Sequence, residues 1–135
     1  MPEKNSIGLD TTVILRLLTA EPEKQFEKAK EFIEKQLTNN KKLFVSDLVV
    51  AEAYFALHYH YKVPKSEAIE QLDRLLSSGI IHSTQGSVCQ KVLKESLNHK
   101  AGFVDQIIHG QYSLLTEEIA SFDKLMCKLP GIIAL

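Results

Sequence analysis

Three short apolar runs, at 7–9, 43–45 and 80–82, are each followed by a stretch in which apolar residues return at every third or fourth position. Runs this short, bounded by polar residues, read as strands, and the stretches between them read as amphipathic helices. A strand that feeds a helix before the next strand begins is expected to pair in parallel, because the helix carries the chain back along the sheet. The expectation is therefore an α/β architecture with a mostly parallel sheet.

The helices follow from their patterns. Leu17 and Leu18 continue the series begun by Val13 and Ile14, and Glu21-Pro22 then punctuates. Phe26, Ala29, Ile33 and Leu37 define a second helix that starts near Pro22, where the first-turn preference of proline fits. A helix over 48–61 is expected to turn Leu48, Glu52, Phe55, Ala56 and Tyr59 to one inward face. After Val63-Pro64 another helix carries Ala68, Leu72, Leu75 and Leu76 inward, and Ser77-Ser78-Gly79 ends it. A further helix carries Val88, Val92, Leu93 and Leu97, and a polar loop over 98–102 leads to a helix over 103–115 with Asp105, Ile108, His109 and Tyr112 on one face. Strands at 117–120 and 132–135 bring the expected sheet to about five short strands, with a short helix or turn over 124–129 between them.

Composition narrows the class. With 135 residues, 44% hydrophobic and 24% charged, the chain suits one folded domain over 1–135 rather than a disordered segment. A net charge of −1 gives no global signature of polyanion binding, so such a function has to come from a local site. Cys89 and Cys127 lack any paired spacing, which argues against a zinc site or a disulfide framework and for residence in the cytoplasm. No apolar stretch approaches the roughly 18 residues of a membrane span.

Chemistry enters through four acids. Asp10 and Asp123 close predicted strands, while Glu52 and Asp105 stand near the starts of predicted helices in otherwise apolar stripes. In a parallel sheet all four point to the carboxyl edge of the strands, where α/β proteins bind ligands. Each has an ordinary structural reading: Asp10 as a helix cap, Glu52 as half of an ion pair, Asp105 as a helix-start charge, Asp123 as a turn former. Together they repel one another unless a cation sits among them. Mg²⁺ or Mn²⁺, hard ions that prefer oxygen ligands, are the matching occupants, and phosphodiester hydrolysis is the matching chemistry.

The stretch Leu9-Asp10-Thr11-Thr12-Val13-Ile14-Leu15-Arg16-Leu17-Leu18 resembles the opening of PIN-domain proteins. Val49-Val50-Ala51-Glu52 resembles their second acidic motif, and Phe103-Val104-Asp105-Gln106-Ile107-Ile108 their third. Ser121-Phe122-Asp123-Lys124, with Leu129-Pro130-Gly131 beyond it, resembles the fourth. The resemblance implies a three-layer α/β/α fold and Mg²⁺- or Mn²⁺-dependent endoribonuclease activity. Within the family it points to the toxin subunits of VapBC-type toxin–antitoxin pairs, which act on RNA, form homodimers and are silenced by a small antitoxin. Carried over by position, it makes Asp10, Glu52, Asp105 and Asp123 the catalytic metal ligands, and gives Thr11 and Ser121 the role of orienting carboxylates or water. His109 and Arg16 become possible substrate contacts. Three positions depart from the family pattern: Thr12 stands where Asn is usual, Gly102 where many relatives carry another acid, and His109 where the residue is usually small.

Two further readings remain open. The same fold could serve as a binding module for nucleic acid or protein without cleaving anything. Other doubly wound phosphoryl-transfer families fit less well. A dehalogenase-like phosphatase expects Asp-x-Asp after the first strand, and Thr12 occupies the second Asp position. A receiver domain expects an acceptor Asp after the third strand, where His82-Ser83-Thr84 stands instead.

Overall fold

The computed structural model describes residues 4–135. Three strands, β1 (Ser6–Gly8), β2 (Lys42–Val45) and β3 (Ile81–Ser83), pair in parallel with β2 in the middle. The register sets Ile7 beside Leu43 and Leu43 beside Ile81. The ladder runs on past the strand ends, with Leu9 N donating to Phe44 O at 2.8 Å and Thr84 N to Val45 O at 3.0 Å. Along the central strand the pleat alternates: Leu43 and Val45 are buried, while Lys42 is exposed and Phe44 half-buried.

Six α-helices surround this sheet: α1 (Thr11–Thr19), α2 (Glu23–Thr38), α3 (Asp47–Phe55), α4 (Lys65–Ser77), α5 (Cys89–Glu95) and α6 (Phe103–Ser113). The arrangement is the three-layer α/β/α fold that the family resemblance implies, with the parallel sheet expected from the strand–helix alternation. α1 packs on α2 and α3, α3 also on α4 and α6, and α5 on α4 and α6. Their inner faces and the strands share one core, in which Phe103, Ile14, Leu43, Leu57, Leu72 and Ile81 are the largest fully buried side chains. Among the described residues, no helix is long and apolar enough to cross a membrane.

The remaining two strands, β4 (Ile119–Ser121) and β5 (Ile132–Ala134), pair with each other and not with the first three. The expected central sheet of about five strands is thus divided into a set of three and a set of two, both parallel. A 3₁₀ turn, Met126–Lys128, joins β4 to β5. Ala101, Met126 and Leu129 form a second small cluster beneath them, with Ile119 and Ile132 packed against it.

Two expected helix faces are corrected. α3 passes at Ala56 into a π-helical turn, Ala56–His60, whose wider ring is closed by Tyr61 N donating to Ala56 O at 3.0 Å. The buried residues of this stretch are Val50, Ala51, Ala53, Tyr54 and Leu57, whereas Leu48, Phe55 and Tyr59 are exposed. Glu52 therefore lies on the solvent side and interrupts no buried stripe. The segment has apolar residues on nearly every side, so spacing alone does not select which side meets the sheet. α6 turns a different face inward from the one expected: it buries Phe103, Gln106 and Ile107, an i, i+3, i+4 set, and leaves Ile108 and Tyr112 exposed. Leu97, expected inward, sits exposed in a 3₁₀ turn, Ser96–Asn98, that ends α5.

Candidate active site

Asp10 lies two residues past the end of β1, at the carboxyl edge of the sheet. It is the N-cap of α1: Oδ1 accepts from Thr12 N at 3.1 Å, from the Thr12 hydroxyl at 2.7 Å and from Val13 N at 3.3 Å. The Thr12 hydroxyl first, and then the backbone N–H groups, hold the Asp10 carboxyl below its ordinary range. Thr12, the departure from the usual Asn, thus binds the very acid it follows. All three bonds fall on Oδ1, so the cap and a ligand role use different oxygens of one carboxylate.

Thr11 links α1 to α3. Its hydroxyl donates to Glu52 Oε1 at 3.1 Å, which places Glu52, on the second turn of α3, beside the start of α1. The α3 helix is itself capped by Ser46, whose hydroxyl accepts from Val49 N at 3.3 Å. Asp10 and Glu52 are therefore brought to one neighbourhood through Thr11.

Asp105 and Asp123 make a second pair. Asp105 is half-buried in the first turn of α6. Burial, and then the charge of Asp123, push its carboxyl above the ordinary range. Asp123 stands two residues past β4, and its Oδ1 accepts from Leu125 N and Met126 N, both at 2.9 Å. Ser121 Oγ accepts from Asp123 N at 3.0 Å, so the hydroxyl fixes the backbone that carries the acid. Like Asp10, Asp123 caps a turn with one oxygen only. A side chain built at Gly102 would place its Cβ 3.7 Å from Asp105 Oδ2, so this position borders the acid directly.

All-oxygen donors of this kind suit a hard divalent ion. Among the described residues, however, no three His, Cys, Asp or Glu side chains gather around one point that could hold a metal. The four acids stand as two pairs.

The remaining candidates fall outside these pairs. Arg16 Nε donates to Gln25 Oε1, and both residues line a largely apolar groove of about 340 Å³ between α1 and α2 that begins at Thr12 and includes Lys28 and Phe32. His109 lies one turn beyond Asp105 on α6, with Nε2 2.8 Å from Pro130 O. A carbonyl oxygen only accepts, so Nε2 carries the proton and the tautomer is fixed.

One residue of consequence escaped the sequence reading. Asp47, 5% exposed, receives Val88 N and Cys89 N from the start of α5 and Gln111 Nε2 from α6 at 2.9–3.1 Å. Burial works to raise its carboxyl, but these donors outweigh it and hold the group below the ordinary range. It ties α3, which carries Glu52, to α6, which carries Asp105. Its place in the first turn after a serine cap looks like any helix-start acid, and only the long-range partners distinguish it.

A PIN domain family model matches residues 7–131, and the chain belongs to that family. All four acids fall within the match. Among individual proteins it is similar to a VapC ribonuclease of Aquifex aeolicus (strain VF5), with 26% identity over 122 residues that cover 90% of each chain.

Proposed function

We propose that this chain is a divalent-metal-dependent endoribonuclease and the toxin subunit of a toxin–antitoxin pair. The reading is supported by the PIN domain match over 7–131, which contains all four acids, together with the Thr11 hydroxyl that links the start of α1 to Glu52. The similarity to a VapC ribonuclease supports RNA as the substrate and a small antitoxin as a partner. The four acids are the proposed ligands of Mg²⁺ or Mn²⁺. A bound ion of this type supplies an activated water and stabilises charge on phosphoryl oxygens.

The chain's own groups do the rest. Thr12 and the α1 backbone fix the rotamer of Asp10 through Oδ1 and leave Oδ2 for an ion. Thr11 orients Glu52 toward the same space. Ser121 and the turn after it hold Asp123 in a similar way. Arg16, beside the groove that begins at Thr12, is the proposed contact to an RNA phosphate. In this reading a single domain over 1–135 carries the whole activity, acts as a homodimer and works in the cytoplasm.

The test is RNA cleavage with added Mg²⁺ or Mn²⁺ by the wild-type chain and by Glu52→Gln. Cleavage that needs the ion and is lost in the variant is expected, and cleavage unaffected by either change contradicts the reading. A binding module of the same fold is the alternative that the departures at Thr12 and Gly102 favour. That alternative expects RNA to be retained by the purified chain and never cut.

A further inference from the structure

The unit that carries Asp123 meets the rest of the molecule through a small cluster in which Met126 and Leu129 pack on Ala101, just before α6. β4 and β5 pair only with each other, and their cluster of Ala101, Met126 and Leu129 is separate from the main core. Asp123 is fixed within this unit by its own turn and by Ser121. Asp105 belongs to α6, whose inner residues Phe103 and Ile107 are part of the main core. Nothing within either piece sets the approach of one acid to the other. Their spacing depends on how the C-terminal unit docks on α6.

Among the described residues, one side-chain hydrogen bond runs from a helix to this unit: His109 Nε2 to the Pro130 carbonyl, at 2.8 Å. Its position is suited to control. His109 is four residues from Asp105, one turn along the same helix face, and Pro130 lies between the 3₁₀ turn and β5. Beyond the imidazole, a cavity of about 350 Å³ separates α5 and α6 from Leu129 and Pro130, so dense packing does not take over the same task there. Gly131, the next residue, is held at φ +75°, and its carbonyl accepts from Ile119 N at 2.9 Å. Pro130 is thereby linked through Gly131 to Ile119 at the start of β4, the strand that Asp123 follows.

We propose that His109 is a positioning residue, a latch whose bond to Pro130 fixes the C-terminal unit against α6 and so sets Asp123 opposite Asp105. It accounts for a histidine at this helix position by a contact inside the protein. The role in ion binding rests on the nuclease reading above, whereas the role in docking does not.

The experiment compares wild-type, His109→Ala and His109→Gln chains by Mn²⁺ titration calorimetry and by hydrogen–deuterium exchange. Loss of a bond that orients a ligand weakens metal binding by about 10-fold or more. In His109→Ala that loss of Mn²⁺ affinity is expected together with faster amide exchange over 119–134 and unchanged exchange in α3. A glutamine amide reaches a similar point and also donates, so His109→Gln is expected to recover both properties. The inference is overturned if His109→Ala leaves exchange over 119–134 unchanged, if exchange quickens while Mn²⁺ affinity stays at the wild-type value, or if glutamine restores neither. A wild-type chain that binds no Mn²⁺ counts against the proposed function instead, and the latch then stands or falls on the exchange comparison and its rescue by glutamine.

Discussion

The body of the molecule and its C-terminal unit are stabilised on different scales. Twenty buried residues form the core shared by β1–β3 and the helices, whereas three form the cluster beneath β4 and β5. Two of the four candidate acids, Asp10 and Glu52, are carried by helices of the body and are joined through Thr11. A third, Asp105, also belongs to the body, while its carboxyl is raised in part by the charge of Asp123 on the small unit. The proposed site thus has one half built on the main core and one half that depends on docking. Local opening free energies follow the density of buried contacts, so the C-terminal unit is expected to open well below the global unfolding free energy.

Five substitutions sharpen the contrast. The largest loss is expected for Phe103→Ala. Its ring is fully buried and lies 4.8 Å from that of Tyr54, and truncations of this kind cost about 4 kcal/mol. Calorimetry should show one cooperative transition at a lower melting temperature.

Next comes Asp47→Asn, expected to cost about 3 kcal/mol, because an amide cannot accept from all the donors that now converge on the carboxylate. The native carboxyl lies below its unfolded value, so its contribution is present at neutral pH and is lost as pH falls through the folded value. Acid titrations of stability on wild-type and Asp47→Asn chains should therefore converge at low pH.

Met126→Ala is expected to cost less, about 2 kcal/mol, since the small cluster around it can relax into the space. The difference in kind matters more than the size: exchange should quicken over 119–134 and remain slow in β2. Global destabilisation with uniform exchange would erase the distinction between the two regions.

The smallest effect has the opposite sign. Asp105 has its carboxyl raised by burial and by Asp123, so its ionised form destabilises the fold above the ordinary aspartate range. Asp105→Asn should therefore leave the melting temperature at neutral pH unchanged or slightly higher, with the gain shrinking as pH falls. Asp123→Asn should bring the Asp105 carboxyl back toward its ordinary value, a change readable by NMR titration.

How much of this was legible in the sequence differs between the same two regions. The three apolar runs marked β1, β2 and β3 to within about one residue, because a parallel sheet fed by helices leaves a pattern that repeats along the chain. The separation of β4 and β5 was not legible, since strand partners depend on tertiary packing and leave no local mark. Glu52 and Asp105 were singled out by supposing that they interrupt buried stripes, and that argument was mistaken for Glu52, which is exposed. α3 is apolar on too many sides for periodicity to choose a face, whereas in α6 the spacing of Phe103 and Ile107 marks the buried one. Asp10 was correctly open to a cap reading, because Asp followed by hydroxyl residues is a local signal with local consequences. Asp47 and the bond between His109 and Pro130 join residues far apart in the chain, and spacing carries no information about such partners.

The central claim is that the acids of these two regions form one ion-dependent site for cutting RNA. Cleavage of a labelled single-stranded RNA by the wild-type chain and by Asp10→Asn, each with Mn²⁺ and with EDTA, addresses it directly. Cleavage by the wild-type chain with Mn²⁺ alone, falling by about 100-fold or more in Asp10→Asn, is the predicted result. RNA left intact by the wild-type chain under every metal condition, or cut equally by both chains, would contradict it.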